Sequence, residues 1–168
     1  MAPEPATAWS VRPIRADDRD ALRALLRDRW GSATIVAGGR THAVDLLPGF
    51  VAERAGTPAG FVTLDERDGV TEIVTIDALS TGVGVGTALI DAATEAAAAR
   101  GGADLVVTTT NDNLDALRFY QRRGFRLRCL RPGAVDVARA AKPSIPKVGA
   151  YDIPIRDELE LRLETADG

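Results

Sequence analysis

The chain contains 168 residues, of which 45% are apolar and 27% are charged, and its net charge is −3. These values are typical of a globular domain with one hydrophobic core, and the small negative charge argues against a nucleic-acid-binding surface. The sequence contains one cysteine, no apolar run of about eighteen residues and no signal-peptide pattern. We therefore expect a cytoplasmic protein that does not enter the membrane.

The N-terminal part of the chain predicts a tail, a strand and a helix. Residues 1–7 are rich in Pro and Ala and predict a disordered tail ahead of a single domain at residues 8–168. A first strand is expected at residues 9–14, and Asp17 is placed to cap the helix that follows. One face of that helix carries large apolar residues at helical spacing. They are Leu22, Leu25, Leu26 and Trp30.

Residues 31–48 are irregular, with room for a short extended segment. Three antiparallel strands are predicted next, because runs of β-branched and aromatic residues are separated by turn sequences. These strands are residues 50–55, 59–65 and 70–76.

The following segment alternates helices with strands. An Ala-rich helix is predicted at residues 85–100, and a β-branched run predicts a buried strand at residues 104–110. Residues 111–113 (Asn-Asp-Asn) supply capping side chains for a short helix that ends at Gly124.

The last part of the chain predicts two strands separated by a long excursion. A strand is expected at residues 125–130, with Cys129 as a core residue. Residues 131–156 are punctuated by Pro and Gly, with a helical turn at residues 135–141. Leucines alternating with charged residues predict a closing strand at residues 155–163.

Two motifs carry chemical information. Asn113, Ala116 and Tyr120 lie three and four residues apart, so a helix presents an amide, a gap and a phenol on one face. Upstream, a Gly-x-Gly-x-Gly loop at residues 82–86 joins a strand to a helix, a pattern that lets backbone N–H groups approach a phosphate.

Together and in this order, the motifs resemble the signature of the GNAT superfamily, the acyl-CoA-dependent N-acyltransferases, over roughly residues 8–130. The resemblance implies an α/β fold of the α+β, mixed-sheet kind. Its central mixed β-sheet would have antiparallel N-terminal strands and helices on both faces, and a splayed parallel pair of strands would form the acyl-CoA cleft. The resemblance also implies acetyl-CoA as co-substrate and no metal.

The resemblance assigns residues to the binding of acetyl-CoA. Backbone groups of Val74 and Ile76 would pair with the pantetheine arm, which Asn113, Ala116 and Tyr120 would face. The loop that binds the pyrophosphate would comprise Thr81, Gly82, Val83, Gly84, Val85, Gly86 and Thr87. Thr81 stands where the family has Arg or Gln, so the usual guanidinium or amide contact is missing.

Acyl transfer to an amine requires an acid for the leaving thiolate and a base for the ammonium. Tyr120 is the candidate acid, because a phenol with a pKa of about 10 can protonate a thiolate whose acid has a pKa of about 8.5. Glu72 is the candidate base, because Glu72-Ile-Val resembles the histone acetyltransferase branch of the family, and Asp77 is its rival. His42 is a third candidate, with an ordinary pKa of about 6.5.

Trp30, His42 and Phe50 are predicted by position to shape the acceptor pocket. The expected function is direct transfer of an acetyl group from acetyl-CoA to a primary amine of a small molecule or peptide, in a ternary complex. Homodimers are common in the family, and no nucleic-acid or membrane partner is expected. Two alternatives stay open. One is an acyl-CoA-binding sensor without turnover, which the departure at Thr81 favours. The other is a nucleotide-binding module, although no Gly-Lys-Ser/Thr sequence follows the loop.

Overall fold

The computed structural model describes residues 9–79, 84–101 and 104–165. The predicted tail at residues 1–7 lies outside this described part of the chain. Within the described part, no helix has both the length and the apolar composition that crossing a bilayer requires.

The described residues form helices and strands in the order that the sequence predicts, with one additional hairpin. In chain order the elements are β1 (Ser10–Pro13), α1 (Arg19–Trp30), β2 (Thr34–Ala37), β3 (Arg40–Ala43), β4 (Gly49–Arg54), β5 (Thr57–Arg67), β6 (Val70–Ala78), α2 (Val85–Ala98), β7 (Asp104–Thr110), α3 (Leu114–Gln121), β8 (Arg126–Arg131), α4 (Ala134–Ala141) and β9 (Glu158–Leu163).

Seven of these strands form one mixed sheet in the order β1-β4-β5-β6-β7-β9-β8, and β2 and β3 pair with each other in a separate hairpin. Strands β6 and β7 are parallel, whereas the other neighbours in the sheet are antiparallel. The predicted mixed sheet with antiparallel N-terminal strands is therefore confirmed.

Apolar side chains cover both faces of the sheet, because successive residues of a strand point to opposite sides. On β4 and β5, Ala52 and Val62 belong to a buried cluster that contains residues of α2 and α3. Their neighbours Val51 and Phe61 belong to a second cluster, which contains residues of α1. The helices therefore lie on both faces, as predicted.

The parallel strands β6 and β7 separate along their length. Their pairing runs from Val70 opposite Asp104 to Ile73 opposite Val107, and there it ends, although β6 continues for five more residues. The register of β6 against β5 also shifts at this point, which leaves Val74 without an opposite residue. A bulge of this kind bends a strand and increases its twist. The predicted splayed pair is thus present.

Asp17 does not cap α1, and this prediction was wrong. A 3₁₀ turn at Ala16–Asp18 precedes the helix and moves its start to Arg19. The buried carboxylate is instead that of Asp18, which accepts a hydrogen bond from the Arg15 backbone N–H at 2.7 Å and forms an ion pair with Arg12 at 2.7 Å.

Cys129 is exposed, so its predicted place in the core was also wrong. Strand β8 forms an edge of the sheet, and nearly all of its residues are exposed. Residues 31–48 contain more structure than the sequence indicated. The hairpin of β2 and β3 and a 3₁₀ turn at Val44–Leu46 pack Ile35 and Val44 into the cluster beside α1.

The excursion at residues 131–156 is anchored to the end of β7, and its predicted helical turn is α4. The Asn111 side chain bonds to the backbone of residues 154–157 through three hydrogen bonds, of 2.9, 2.9 and 3.0 Å. Asp112 accepts a hydrogen bond from the Ala150 N–H at 3.0 Å. Of the three predicted capping side chains, Asn113 alone caps α3, and the other two hold the excursion in place.

Candidate active site

A cleft of about 310 Å³ opens where β6 and β7 separate, and α2 and α3 contribute to its walls. It contains six of the residues predicted to contact the donor. These are Val74, Ile76, Gly86, Asn113, Ala116 and Tyr120. The structure therefore brings together the two motifs, which are about thirty residues apart in the chain.

Tyr120 lies on α3 with its ring in the core and 5% of the residue exposed. Its ring packs against Phe119 and Phe125, each with a centroid distance of 5.3 Å. Burial raises the pKa of the phenol well above its ordinary value, and the negative charge of Asp77 raises it further. Tyr120 is therefore protonated throughout the neutral pH range, as a proton donor must be.

Asn113 occupies the N-cap position of α3, where its side chain accepts a hydrogen bond from the Ala116 N–H at 3.2 Å. This confirms the predicted cap. The amide lies on the cleft wall at the same time, so its predicted contact with the donor is compatible with the capping role.

The N-terminus of α2 is shaped by glycine and by close packing. Gly84 holds a left-handed conformation with φ +83° at the N-cap position. A Cβ on Gly86 would lie 2.9 Å from the Phe119 ring, so a glycine is needed for this approach of α2 to α3. The Val85 side chain is buried in the core, and the Thr87 hydroxyl bonds to the Arg123 guanidinium at 2.6 Å. Thr81, Gly82 and Val83, predicted to bind phosphate, lie outside the described residues.

A second and larger cavity, of about 530 Å³, adjoins the cleft. Trp30 and Asn113 line both spaces, so they mark the passage between them. The walls of this cavity come from the end of α1, from β2, from the end of β7, from α4 and from the residues after α4. Most of its side chains are apolar, and they include Ile35, Val36, Val135, Ala138, Ile145 and Ile155. Trp30, which the sequence predicts in an acceptor pocket, lies on the wall of this cavity.

Four charged residues line this second cavity, and the first of them, Arg29, donates a hydrogen bond to the Ala78 carbonyl oxygen at 3.1 Å. Asp112 is buried and accepts hydrogen bonds from the Thr110 hydroxyl and the Ala150 N–H. The Lys142 ammonium donates to the Thr34 carbonyl oxygen at 2.9 Å, and burial lowers its pKa. Glu158 is 3% exposed and accepts one hydrogen bond, from the Gly38 N–H at 3.2 Å. Burial raises the pKa of Glu158 above its ordinary value.

Glu72 lies away from both spaces, on the wall of a separate pocket of about 150 Å³. That pocket also contains the guanidinium groups of Arg67, Arg131 and Arg162. Burial raises the pKa of Glu72, and the nearby His42 and Arg67 oppose that shift. The pocket and the cleft share Thr108, which is the point where Glu72 comes nearest to the cleft wall.

Asp77 is buried beneath Trp30 and accepts a hydrogen bond from its indole N–H at 3.1 Å. Burial raises the pKa of Asp77, while the indole hydrogen bond and the charge of Arg29 lower it. His42 is buried in the β2–β3 hairpin, where its Nδ1 lies 3.4 Å from an Asp65 carboxylate oxygen. Neither His42 nor Phe50 lies on the wall of the cleft or of the larger cavity.

Comparison with known proteins agrees with this geometry. A model of the Acetyltransferase (GNAT) family matches residues 14–125. The chain belongs to this family. YxbD, an uncharacterised protein of Bacillus subtilis (strain 168), is 38% identical over 90% of this chain and 96% of its own.

Solved structures share the GNAT fold at lower identity. The IAA acetyltransferase from Bacillus cereus ATCC 14579 superposes with a TM-score of 0.70, at 23% identity over 94% of this chain and 99% of that one. A GNAT family acetyltransferase from Elizabethkingia anophelis, solved with acetyl-CoA bound, superposes with a TM-score of 0.67, at 20% identity over 93% and 97% of the two chains.

Within this GNAT fold, the sequence motifs identified residues of the cleft and missed most of the lining of the larger cavity. Glu158 begins an alternating strand, Glu-Leu-Glu-Leu-Arg-Leu, and nothing in that pattern separates it from the ion-paired charges that follow. Lys142 and the apolar residues after α4 lie in the excursion, where Pro and Gly interrupt the hydrophobic periodicity that would reveal a helix or a strand. The one available signal was the spacing of Val135 and Ala138, which gives α4 a buried face.

Proposed function

We propose that this GNAT protein transfers an acetyl group from acetyl-CoA to a primary amine by direct attack within a ternary complex. The observation that carries the proposal is the junction of two spaces at Trp30 and Asn113. One space is a cleft between splayed strands with a phenol on its wall, and the other is a cavity lined by apolar side chains together with two carboxylates. A donor and an acceptor held in these two spaces would meet at their junction.

The unpaired end of β6 supports a place for the pantetheine arm. After Ile73, this strand pairs with none of the described residues on its β7 side, so its backbone groups there are available to an extended amide-containing ligand. The backbone N–H of Ile76 would donate a hydrogen bond to the thioester carbonyl and stabilise the negative charge that develops there. The N-terminus of α2 would face the pyrophosphate.

Tyr120 would protonate the sulfur of the departing thiolate. It lies on the cleft wall, and its raised pKa keeps the proton in place until the C–S bond breaks. A base must take a proton from the acceptor ammonium before the nitrogen can attack. The sequence predicts Glu72, Asp77 or His42 for this step, and burial raises the pKa values of the two carboxyl groups above their ordinary values.

The test is to measure free-thiol release from acetyl-CoA with a panel of aryl and alkyl monoamines, polyamines, amino acids and aminoglycosides. Products are identified by mass spectrometry as a gain of one acetyl group. Calorimetry with acetyl-CoA alone measures donor binding separately. Amine-dependent release with an acetylated product supports the proposal. Donor binding without transfer to any amine contradicts it and favours the sensor alternative.

A further inference from the structure

Glu158 supplies one of the two carboxylates that line the larger cavity, and Asp112 supplies the other. Glu158 lies at the start of β9, opposite Thr110 of β7 and Arg131 of β8, so the sheet fixes its position. The residue is 3% exposed. One of its oxygens, Oε2, accepts the hydrogen bond from Gly38, and among the described residues no cation forms an ion pair with either oxygen.

Burying a carboxylate without a partner costs several kcal/mol, so such groups are usually paired with a cation or bound to a ligand. Its strand neighbour Glu160 illustrates the usual case, since it forms ion pairs with Arg131 and Arg162. Glu158 forms no such pair among the described residues, although the charge of Arg131, opposite it on β8, partly opposes the rise in its pKa. Glu158 also lies on the wall of the 530 Å³ cavity. A cationic ligand in that cavity would supply the missing charge.

The remaining walls limit what that ligand can be. Ile35, Val36, Val135 and Ala138 contribute apolar surface, and the other acidic side chain, Asp112, already accepts two hydrogen bonds. The Lys142 ammonium bonds to backbone carbonyls of α1 and β2 at the edge of the same cavity. A second positive charge on the ligand would therefore meet a lysine and find no free carboxylate.

We infer that Glu158 binds the ammonium group of the acceptor and removes its proton, and that the acceptor is a primary monoamine carrying one compact apolar group. This inference rests on the proposed function. It places the base on the wall of the acceptor cavity, whereas Glu72 lies in a separate arginine-rich pocket and Asp77 is bonded to the Trp30 indole.

Every proton and electron pair in the proposed transfer has a source and a destination. One ammonium proton moves to Glu158, and the nitrogen lone pair then forms a C–N bond to the thioester carbon. The C–S bond breaks, and its electron pair leaves on sulfur, which takes the Tyr120 proton. The nitrogen gives up a second proton, which restores the Tyr120 phenol, and Glu158 releases its proton to solvent.

The test uses the full chain with phenethylamine as the probe amine and its uncharged analogue 2-phenylethanol as the ligand control. Glu158→Gln keeps the shape and the acceptor for Gly38 but removes the charge. Glu160→Gln is the matched control, since it removes one carboxylate from the same strand outside both spaces. Glu72→Gln and Asp77→Asn test the rival bases. Calorimetry in the presence of CoA measures amine binding without turnover, and kcat/KM is measured from about pH 6 to pH 10 with acetyl-CoA.

We expect Glu158→Gln to lower kcat/KM by about 10²–10³-fold and to weaken phenethylamine binding, with binding of acetyl-CoA and of 2-phenylethanol unchanged. Glu158→Asp should recover part of the activity, and Glu160→Gln should match the wild type. The inference is overturned if Glu158→Gln binds and acetylates the amine as well as the wild type does. It is also overturned if the acid limb of the pH profile is lost in Glu72→Gln or Asp77→Asn and retained in Glu158→Gln.

The two proposals fail in different ways. If the wild-type protein acetylates no amine, the proposed function fails, whereas amine binding in the presence of CoA still decides whether Glu158 holds an ammonium. If the wild-type protein acetylates an amine and Glu158→Gln does so equally well, the function stands and the role of Glu158 fails.

Discussion

At the scale of single residues, the site depends on buried groups whose protonation is fixed by their surroundings. Tyr120 keeps its proton because the core around it is apolar and Asp77 is negative. Glu72, Asp77 and Glu158 bind protons more tightly than exposed carboxylates because they are buried. Perturbed groups of this kind concentrate at functional sites.

Tyr120→Phe tests the acid. The substitution removes one oxygen and retains the ring that packs against Phe119 and Phe125, so the fold should be retained. We expect kcat to fall by about 10²-fold or more, because the thiolate must leave unprotonated, while the Kd for acetyl-CoA stays the same. Stopped-flow measurement of thiol release together with calorimetry checks this. An unchanged kcat would remove Tyr120 from the mechanism.

Some residues of the cleft could be predicted from the sequence alone. Asn113, Ala116 and Tyr120 were predicted to share a surface because their spacing follows the helix period, and they do line one cleft. Glu158 was not predicted, because its importance comes from its partners across the sheet and at Gly38, which lies 120 residues earlier in the chain. Local patterns contain no information about contacts of that range.

At the scale of elements, two helices position the site. Helix α3 carries the predicted face, and α2 lies close enough to it that Gly86 contacts the Phe119 ring. The Arg123 guanidinium also packs over that ring, 3.6 Å from its centroid. The spacing of α2 and α3 therefore depends on this one glycine.

Gly86→Ala should separate the two helices. The added Cβ would lie 2.9 Å from the ring, and overpacking of this kind costs about 1–3 kcal/mol, which exceeds the gain of about 1 kcal/mol from better helix propensity. We expect a lower Tm and a higher Kd for acetyl-CoA. Gly101→Ala is the control. Gly101 has φ +90°, and no atom lies within 4 Å of the position that an added Cβ would take. The substitution therefore strains the backbone without a clash, so Tm should fall while the Kd for acetyl-CoA stays the same. Equal Kd values for the two variants would contradict this account.

Helix α4 and the residues after it line the 530 Å³ cavity, and Lys142 donates hydrogen bonds to the carbonyl oxygens of Trp30 and Thr34. Lys142→Met keeps most of the side-chain length and removes the donor. We expect a higher KM for the amine with kcat and the Kd for acetyl-CoA unchanged, because the substitution affects how the cavity closes and leaves the reacting groups in place. Steady-state kinetics with both substrates varied separates these parameters. A change confined to kcat would show that Lys142 acts differently.

The elements themselves were largely predictable. Strand β7 has the predicted bounds, and α4 differs by one residue, because hydrophobic period and turn chemistry are local properties. The β2–β3 hairpin was missed because its strands are four residues long and it pairs outside the main sheet. The exposure of Cys129 depends on β8 being an edge strand, which the order of strands decides and the composition of β8 does not.

At the scale of the whole molecule, two kinds of buried carboxyl respond to pH in opposite directions. The pKa of Asp18 lies below its ordinary value because Arg12 bonds to it, so its contribution to stability is present above the ordinary pKa and is lost as pH falls. Burial raises the pKa values of Glu72, Asp77 and Glu158. Their contribution is present below the ordinary pKa and is lost as pH rises through the raised values.

We therefore expect the Tm of the ligand-free protein to rise as pH is lowered from about 8 towards 5. It should fall again below about pH 4, the ordinary pKa of Asp, where the unfolded chain binds a proton at Asp18 more readily than the native protein does. Glu158→Gln should raise the Tm at pH 8, and this difference should shrink at lower pH, because the wild-type carboxyl is then neutral as well. Scanning calorimetry at constant ionic strength checks this. A Tm that falls steadily from pH 8 to pH 5 would contradict it.

The gap between β6 and β7 bears on how quickly the protein is degraded in a cell. Beyond Ile73 and Val107, two strand edges face each other inside the sheet without bonding. Under the proposed function the donor bridges them, and a ligand at a hundred times its Kd adds about 2.7 kcal/mol to the free energy of unfolding. Local opening of the unbridged sheet exposes the chain to proteases. The rate at which this protein is degraded would then depend on the supply of acetyl-CoA, and its half-life would be longest in cells where acetyl-CoA is abundant.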